Sequence, residues 1–206
     1  MAAAQLTIDM LAKEPRWDDA TLRALPGRSR GDLIGPWGKN VSARFGADAV
    51  ARVKRRAAAL SELPEVLTAR DWLPVHLQLV LTEAIVDEFL AGDMRALLPL
   101  IIADTRAGMG RMHLAVVRAL GPQRAFRLAP SAFRKVHERG TCEGEVSKSY
   151  ARMTFNGTPL FMNPTWRILQ LFAMESLLAL LERSGSASGE SDGTDRFVAV
   201  AEFRNI

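Results

Sequence analysis

The sequence predicts an α+β fold in which helices pack on a small antiparallel sheet, in the order helices–strand–strand–helix–strand. Three observations predict it. Residues 32–138 carry helical apolar spacing with few interruptions. At Gly140 the period falls from about 3.6 residues to about 2, the repeat of a half-buried strand. A strongly capped helix over 163–181 then precedes a second alternating stretch, 196–203. Helices and strands segregated along the chain fit an α+β arrangement better than alternating units on a parallel sheet.

The elements follow in order. Residues 1–30 read as an N-terminal extension, because a short amphipathic piece (Leu6, Ile8, Met10, Leu11) is broken by Pro15, Pro26 and Gly27. Residues 31–206 read as a single domain. Leu33, Ile34, Trp37 and Val41 share a helical face over 32–45, shortened by Pro36 and Gly38. Over 48–60, Val50, Val53, Ala57 and Leu60 oppose Arg52, Lys54, Arg55 and Arg56. Asp71 is a candidate cap for a helix over 71–91 that is apolar nearly all round, as a central helix is. Leu97 to Leu120 forms a second dense apolar helix, and Gly121-Pro122 predicts its stop. Shorter helices are expected over 123–128 and 130–138. Two strands are expected across 140–155, followed by a turn at Asn156-Gly157. Asn163 caps the next helix and Pro164 opens it. Residues 184–195, rich in glycine and serine, predict a flexible loop before the last strand.

Composition narrows the function classes. The 206 residues are 48% hydrophobic and 24% charged, ordinary values for a globular protein. The single cysteine excludes a disulfide framework and a cysteine-built zinc site. The net charge of +4 is the remainder of basic blocks at 1–60 and 122–156 and acidic blocks between and after them, so no nucleic-acid partner is announced. No stretch predicts a membrane span, and the first residues lack the features of a secretory leader. A cytoplasmic protein is the expectation.

Few residues suggest chemistry. His76, His113 and His137 lie in helices without the spacing of a metal site, and no metal or other cofactor is expected. His113, beside Met109 and Met112, is the histidine most like a haem ligand. Cys142 reads as a core residue on the inner face of a strand, and no nucleophile–base pair has a supporting local signature, so no enzyme is expected. Trp72, His76, Met112, His113, Tyr150 and Trp166 are candidate ligand-pocket residues, being amphipathic or adaptable groups on apolar elements. Ordinary core packing would place the same residue types there. Arg124, Arg127, Arg134 and Lys135 are candidate anion-binding residues, since converging guanidiniums hold phosphate or carboxylate, and a solvated surface is the alternative.

Several stretches also carry a family resemblance: GDLIGPWGKNVSARFG at 31–46, DWLPVHLQLVLTEAI at 71–85, ALGPQRAFRLAP at 119–130, FRKVHERGTCEGEV at 133–146 and NPTWRILQLFAMESLLALL at 163–181. In these the chain resembles a paralogous family of uncharacterised proteins abundant in myxobacteria. That family is in turn distantly similar to the ligand-binding fold of haem–nitric-oxide sensors, vinyl-4-reductase-like domains and vesicle-tethering subunits. The resemblance implies helices on one side of a small antiparallel sheet. It also implies a non-enzymatic sensory or scaffolding role, through a small apolar ligand or a protein partner, with a ligand-free homodimer as the alternative. Ser149-Tyr150-Ala151-Arg152 departs from the Tyr-x-Ser-x-Arg signature of the haem sensors, and Cys142 is the only cysteine near the sheet.

Overall fold

The computed structural model describes residues 4–35, 37–68, 70–191 and 195–204, leaving aside the side chains of residues 4, 107–113 and 191. In chain order its elements are β1 (Ala4–Leu6), α1 (Ile8–Leu11), α2 (Asp19–Arg23), β2 (Arg28–Arg30), α3 (Trp37–Phe45), α4 (Ala49–Arg56), β3 (Trp72–Pro74), α5 (His76–Phe89), α6 (Leu97–Arg127), α7 (Ala129–Val136), β4 (Thr141–Val146), β5 (Tyr150–Asn156), α8 (Pro164–Leu180), β6 (Gly185–Ser191) and β7 (Phe197–Phe203). The α+β class is as expected. Contacts divide the chain into two compact units: residues 1–16, 98–134 and 140–206 form one, and residues 17–97 and 135–139 the other.

The first unit is built on a five-stranded antiparallel sheet in the order β1-β6-β7-β5-β4. On β5 the alternation is clean: Ala151, Met153 and Phe155 are buried, while Tyr150, Arg152 and Thr154 face the other way and are half-covered. Helix α8 packs against β6 and β7. It starts where the sequence predicts, with the Asn163 side chain accepting the Trp166 N–H at 2.9 Å and Pro164 at the first helical position. Gly140 has φ +84°, and a Cβ there would stand 2.4 Å from the Phe161 ring, so only glycine fits at the head of β4.

Three expectations are corrected in this unit. The predicted flexible loop contains strand β6, paired to β7 from Gly185↔Phe203 to Ser191↔Phe197. Glycine is what this strand requires at two positions, since a Cβ on Gly189 would lie 2.6 Å from the Phe197 ring and one on Gly185 2.3 Å from the Glu202 carbonyl. Residues 4–6 of the expected extension are part of the fold, because as β1 they add to the sheet edge beside β6. Helix α6 also continues through Pro122 to Arg127; Gly121 takes φ +71° and absorbs the break inside the element.

The second unit holds α2 to α5 and a two-stranded ladder, β2 with β3. This ladder crosses the boundary expected at residue 31, pairing Arg28–Arg30 with Trp72–Pro74. It also displaces the expected start of the central helix. Asp71 accepts the Thr68 N–H at 2.6 Å and so caps a turn, and α5 begins five residues later at His76. Helix α4 lies against α5, with its basic run spent partly on ion pairs: Arg52 with Glu88 at 2.7 Å and Arg56 with Asp87 at 3.1 Å. Arg52 also sits 4.8 Å above the Phe89 ring, which stacks on Phe45.

Candidate functional site

Helix α6 is the element whose sequence and burial disagree most. At about 1.5 Å per residue its 31 residues run for roughly 46 Å. Its C-terminal part is fastened to the first unit. The Arg118 Nε donates to the Leu180 carbonyl at 3.1 Å and its guanidinium pairs with Glu182 at 2.6 Å. Phe126 stacks on Phe203 with centroids 5.7 Å apart, and the Gln123 amide donates to the Lys148 carbonyl at 3.2 Å. Before that anchor, Leu98, Leu100, Ile101, Ile102, Leu114, Val117 and Leu120 are all only half-buried, and Val116 is 54% exposed. Met112 and His113 belong to this helix, at positions outside the described side chains.

The other pocket candidates lie elsewhere. Trp166 is fully buried in an aromatic core, with its ring 4.6 Å from Phe161, 5.1 Å from Phe155 and 6.2 Å from Phe197. Its indole N–H has no acceptor among the described residues. Tyr150 is on the opposite face of β5, where its hydroxyl donates to Glu145 at 2.5 Å; that bond holds the phenol pKa above its ordinary value. It lines a surface cleft of about 900 Å³ with Arg152, Glu190, Glu202 and Arg204. Arg152 and Glu190 form a two-bond ion pair within this cleft, at 2.5 and 3.2 Å. Cys142 is buried as expected, and burial, helped by Glu143, pushes its thiol up to about 11. The thiol is therefore protonated at neutral pH and a poor nucleophile.

Trp72 and His76 belong to the second unit. Trp72 is partly exposed beneath the Arg30 guanidinium, 5.5 Å from its ring centre. His76 is buried, with Nε2 lacking a partner among the described residues. Desolvation lowers its pKa, and Glu62, itself paired to Arg23 at 2.6 Å, opposes that shift. His137 is also held neutral, its pKa lowered to about 4 by burial. The anion candidates are exposed: Arg124 and Arg127 lie one turn apart on α6, and Arg134 and Lys135 are neighbours on α7. Among the described residues no group of three metal-ligating side chains assembles.

Solved structures now place this arrangement. An oxygen-binding H-NOX domain related to soluble guanylate cyclases superimposes with a TM-score of 0.56 at 12% identity, over 85% of this chain and 95% of its own. An Fe(II) unliganded H-NOX protein from K. algicida gives 0.55 at 11%, over 86% and 97%. An H-NOX mutant from T. tengcongensis gives 0.53 at 12%, over 85% and 98%. The chain has the H-NOX fold. No protein-family model matches the sequence, and no curated protein is similar to it.

Haem occurs in the H-NOX family, so its fit to this chain can be tested on the described residues. Tyr150 and Arg152, in the stretch that departs from the haem-sensor signature, are engaged by Glu145 and Glu190. Carboxylates in those places repel the propionates that a haem would bring. The described residues of the cleft therefore do not form a propionate cradle. Sequence reasoning missed the Arg152–Glu190 pair because Glu190 lay in the expected loop. It also missed a buried arginine on α8, Arg167, because an arginine inside an apolar helix carries no mark of where its charge is met.

Proposed function

We propose that the chain is a non-enzymatic sensory or scaffolding domain of the cytoplasm that binds a small apolar or amphipathic ligand along α6. One observation carries this reading: an apolar helix in an H-NOX fold whose described apolar side chains between Leu98 and Leu120 are left half-covered or exposed. Apolar surface left in contact with water is unfavourable by about 25 cal/mol per Å², so a ligand that covers it gains that term. Met112 and His113, on the same helix, are the candidate ligand-contact residues. Oxygen binding by one H-NOX neighbour supports a small ligand in this fold. The buried, protonated thiol of Cys142 supports a role in which that residue is no nucleophile. Among the described residues no helix is long and apolar enough to cross a membrane.

Native mass spectrometry of the purified chain tests the reading. The expected result is a mass increment lost on denaturation, reduced in the Val117→Asp variant. A stable dimer with no small molecule would sink it and favour the second reading, a homodimer through α6, which the exposure of Val116 supports. Incubation with haem followed by desalting separates out the haem case: protein that stays colourless is the expected result.

A further inference from the structure

Residues 4–14 hold to the rest of the first unit by three different attachments. Strand β1 pairs with β6 through Gln5↔Glu190 and Leu6↔Gly189. Helix α1, capped by the Thr7 hydroxyl at 3.2 Å from the Met10 N–H, packs on α8 and buries Ile8 and Leu11. The Glu14 carboxylate then accepts from Arg167 on α8. Arg167 is 5% exposed; its guanidinium also donates to the Met162 carbonyl at 2.8 Å, and its Nε has no partner among the described residues.

These attachments define a seat. Without the segment, β6 would be an open sheet edge, the ready template for another strand. The part of α8 that α1 covers would be exposed, and the buried Arg167 guanidinium would lose the Glu14 carboxylate. Such a seat selects an extended residue pair, then apolar side chains three apart, then an acid three further on. The segment carrying that pattern is residues 4–14 of this chain, and every copy of the chain brings one.

The connectivity makes exchange accessible. Residues 15–18 form no helix or strand, contain Pro15, and lead directly into the second compact unit, and the first unit resumes only at Leu98. The segment is thus covalently joined to its own seat only through a hinge and the whole of the other unit. Swapping an identical element between copies across such a hinge costs little, because every contact re-forms. We propose that residues 4–14 are an exchangeable strap, and that the seat formed by β6, α8 and Arg167 accepts the strap of a second copy, linking two chains reciprocally. This surface is separate from the one read for α6.

Disulfide trapping in the full chain tests it. Gln5 and Glu190 are opposed in the ladder, a separation of about 5 Å that a disulfide can bridge. The variant Gln5→Cys/Glu190→Cys is incubated at about 10 and about 200 µM and then oxidised; mass action predicts a severalfold rise in covalent dimer linked 5 to 190. Adding Glu14→Gln, which loosens the strap in monomer and exchanged dimer alike, speeds the approach to that share without changing it. Oxidation that yields only the intrachain bond at both concentrations overturns the proposal, as does a dimer lacking the 5-to-190 bond. A second measurement needs no cysteine. Light and heavy isotope-labelled copies of the Glu14→Gln chain are mixed and followed by native mass spectrometry, with a synthetic peptide of residues 1–16 as competitor. Heterodimer that the peptide dissolves supports exchange of the strap. Absence of heterodimer, or heterodimer indifferent to the peptide, overturns it.

Discussion

Helices α8 and α6 lie in the same compact unit and are both rich in leucine, isoleucine and methionine, yet one is buried along its length and the other is not. Helix α8 buries eleven residues from Pro164 to Leu180, among them the polar Thr165, Arg167 and Ser176. On α6, the described side chains from Leu98 to Leu120 include no buried one. The difference lies in what faces each helix. Helix α8 runs for roughly 26 Å, close to the roughly 23 Å of a seven-residue strand, and β6 and β7 lie against it. Helix α6 is nearly twice as long as those strands and is tied down at its far end by Arg118, Gln123 and Phe126. Apolar sequence shows that a helix needs cover; the length and position of the opposing layer decide whether it receives any.

The largest effect that could break this comparison is at Trp166. Replacing it with alanine removes the ring between Phe155, Phe161 and Phe197, and a cavity of that size costs about 3–5 kcal/mol. Chemical denaturation of the Trp166→Ala variant reads that loss directly. A cost below about 1 kcal/mol would mean that the core is loose and that α8 is no better covered than α6.

A smaller effect sharpens the same contrast at the start of α8. The Asn163 cap satisfies the Trp166 N–H, and its loss in Asn163→Ala is worth about 1 kcal/mol, whereas Asn163→Asp keeps the acceptor and most of the stability. Equal melting temperatures for the alanine variant and the parent would show that burial alone holds this helix in place.

That cap was legible in the sequence, and so was much of the fold that follows it. Asn163-Pro164, the alternation around β5 and the burial of Phe197, Ala199, Ala201 and Phe203 all rest on local patterns, which one stretch of chain can carry. What was not legible depended on partners distant in sequence. Gly185 and Gly189 read as loop residues, yet a Cβ at either would meet the Glu202 carbonyl or the Phe197 ring, so tight packing and flexibility call for the same residue. The pairing of Arg28–Arg30 with Trp72–Pro74 runs across the boundary that Pro26 and Gly27 predict. At the candidate sites the limit was similar. Tyr150 and Trp166 are both amphipathic residues on strongly patterned elements, and only the sheet reveals that they occupy opposite faces. Their roles diverge there, one ring walling a polar cleft and the other filling the core.

The smallest effect on stability bears most on function. Ile101→Ala and Leu120→Ala each remove a few methylenes from positions already half in water, so each should cost under about 1 kcal/mol, well short of a buried deletion. Equilibrium unfolding measures that cost, and native mass spectrometry of the same variants follows the retained small molecule. If α6 is an uncovered helix waiting for a ligand, the two measurements separate: stability of the ligand-free chain hardly moves, while retention falls severalfold. If each alanine instead costs about 2 kcal/mol or more without ligand, these side chains are packed in solution as firmly as those of α8. The contrast between the two helices would then fail, and with it the reason for assigning the ligand to α6.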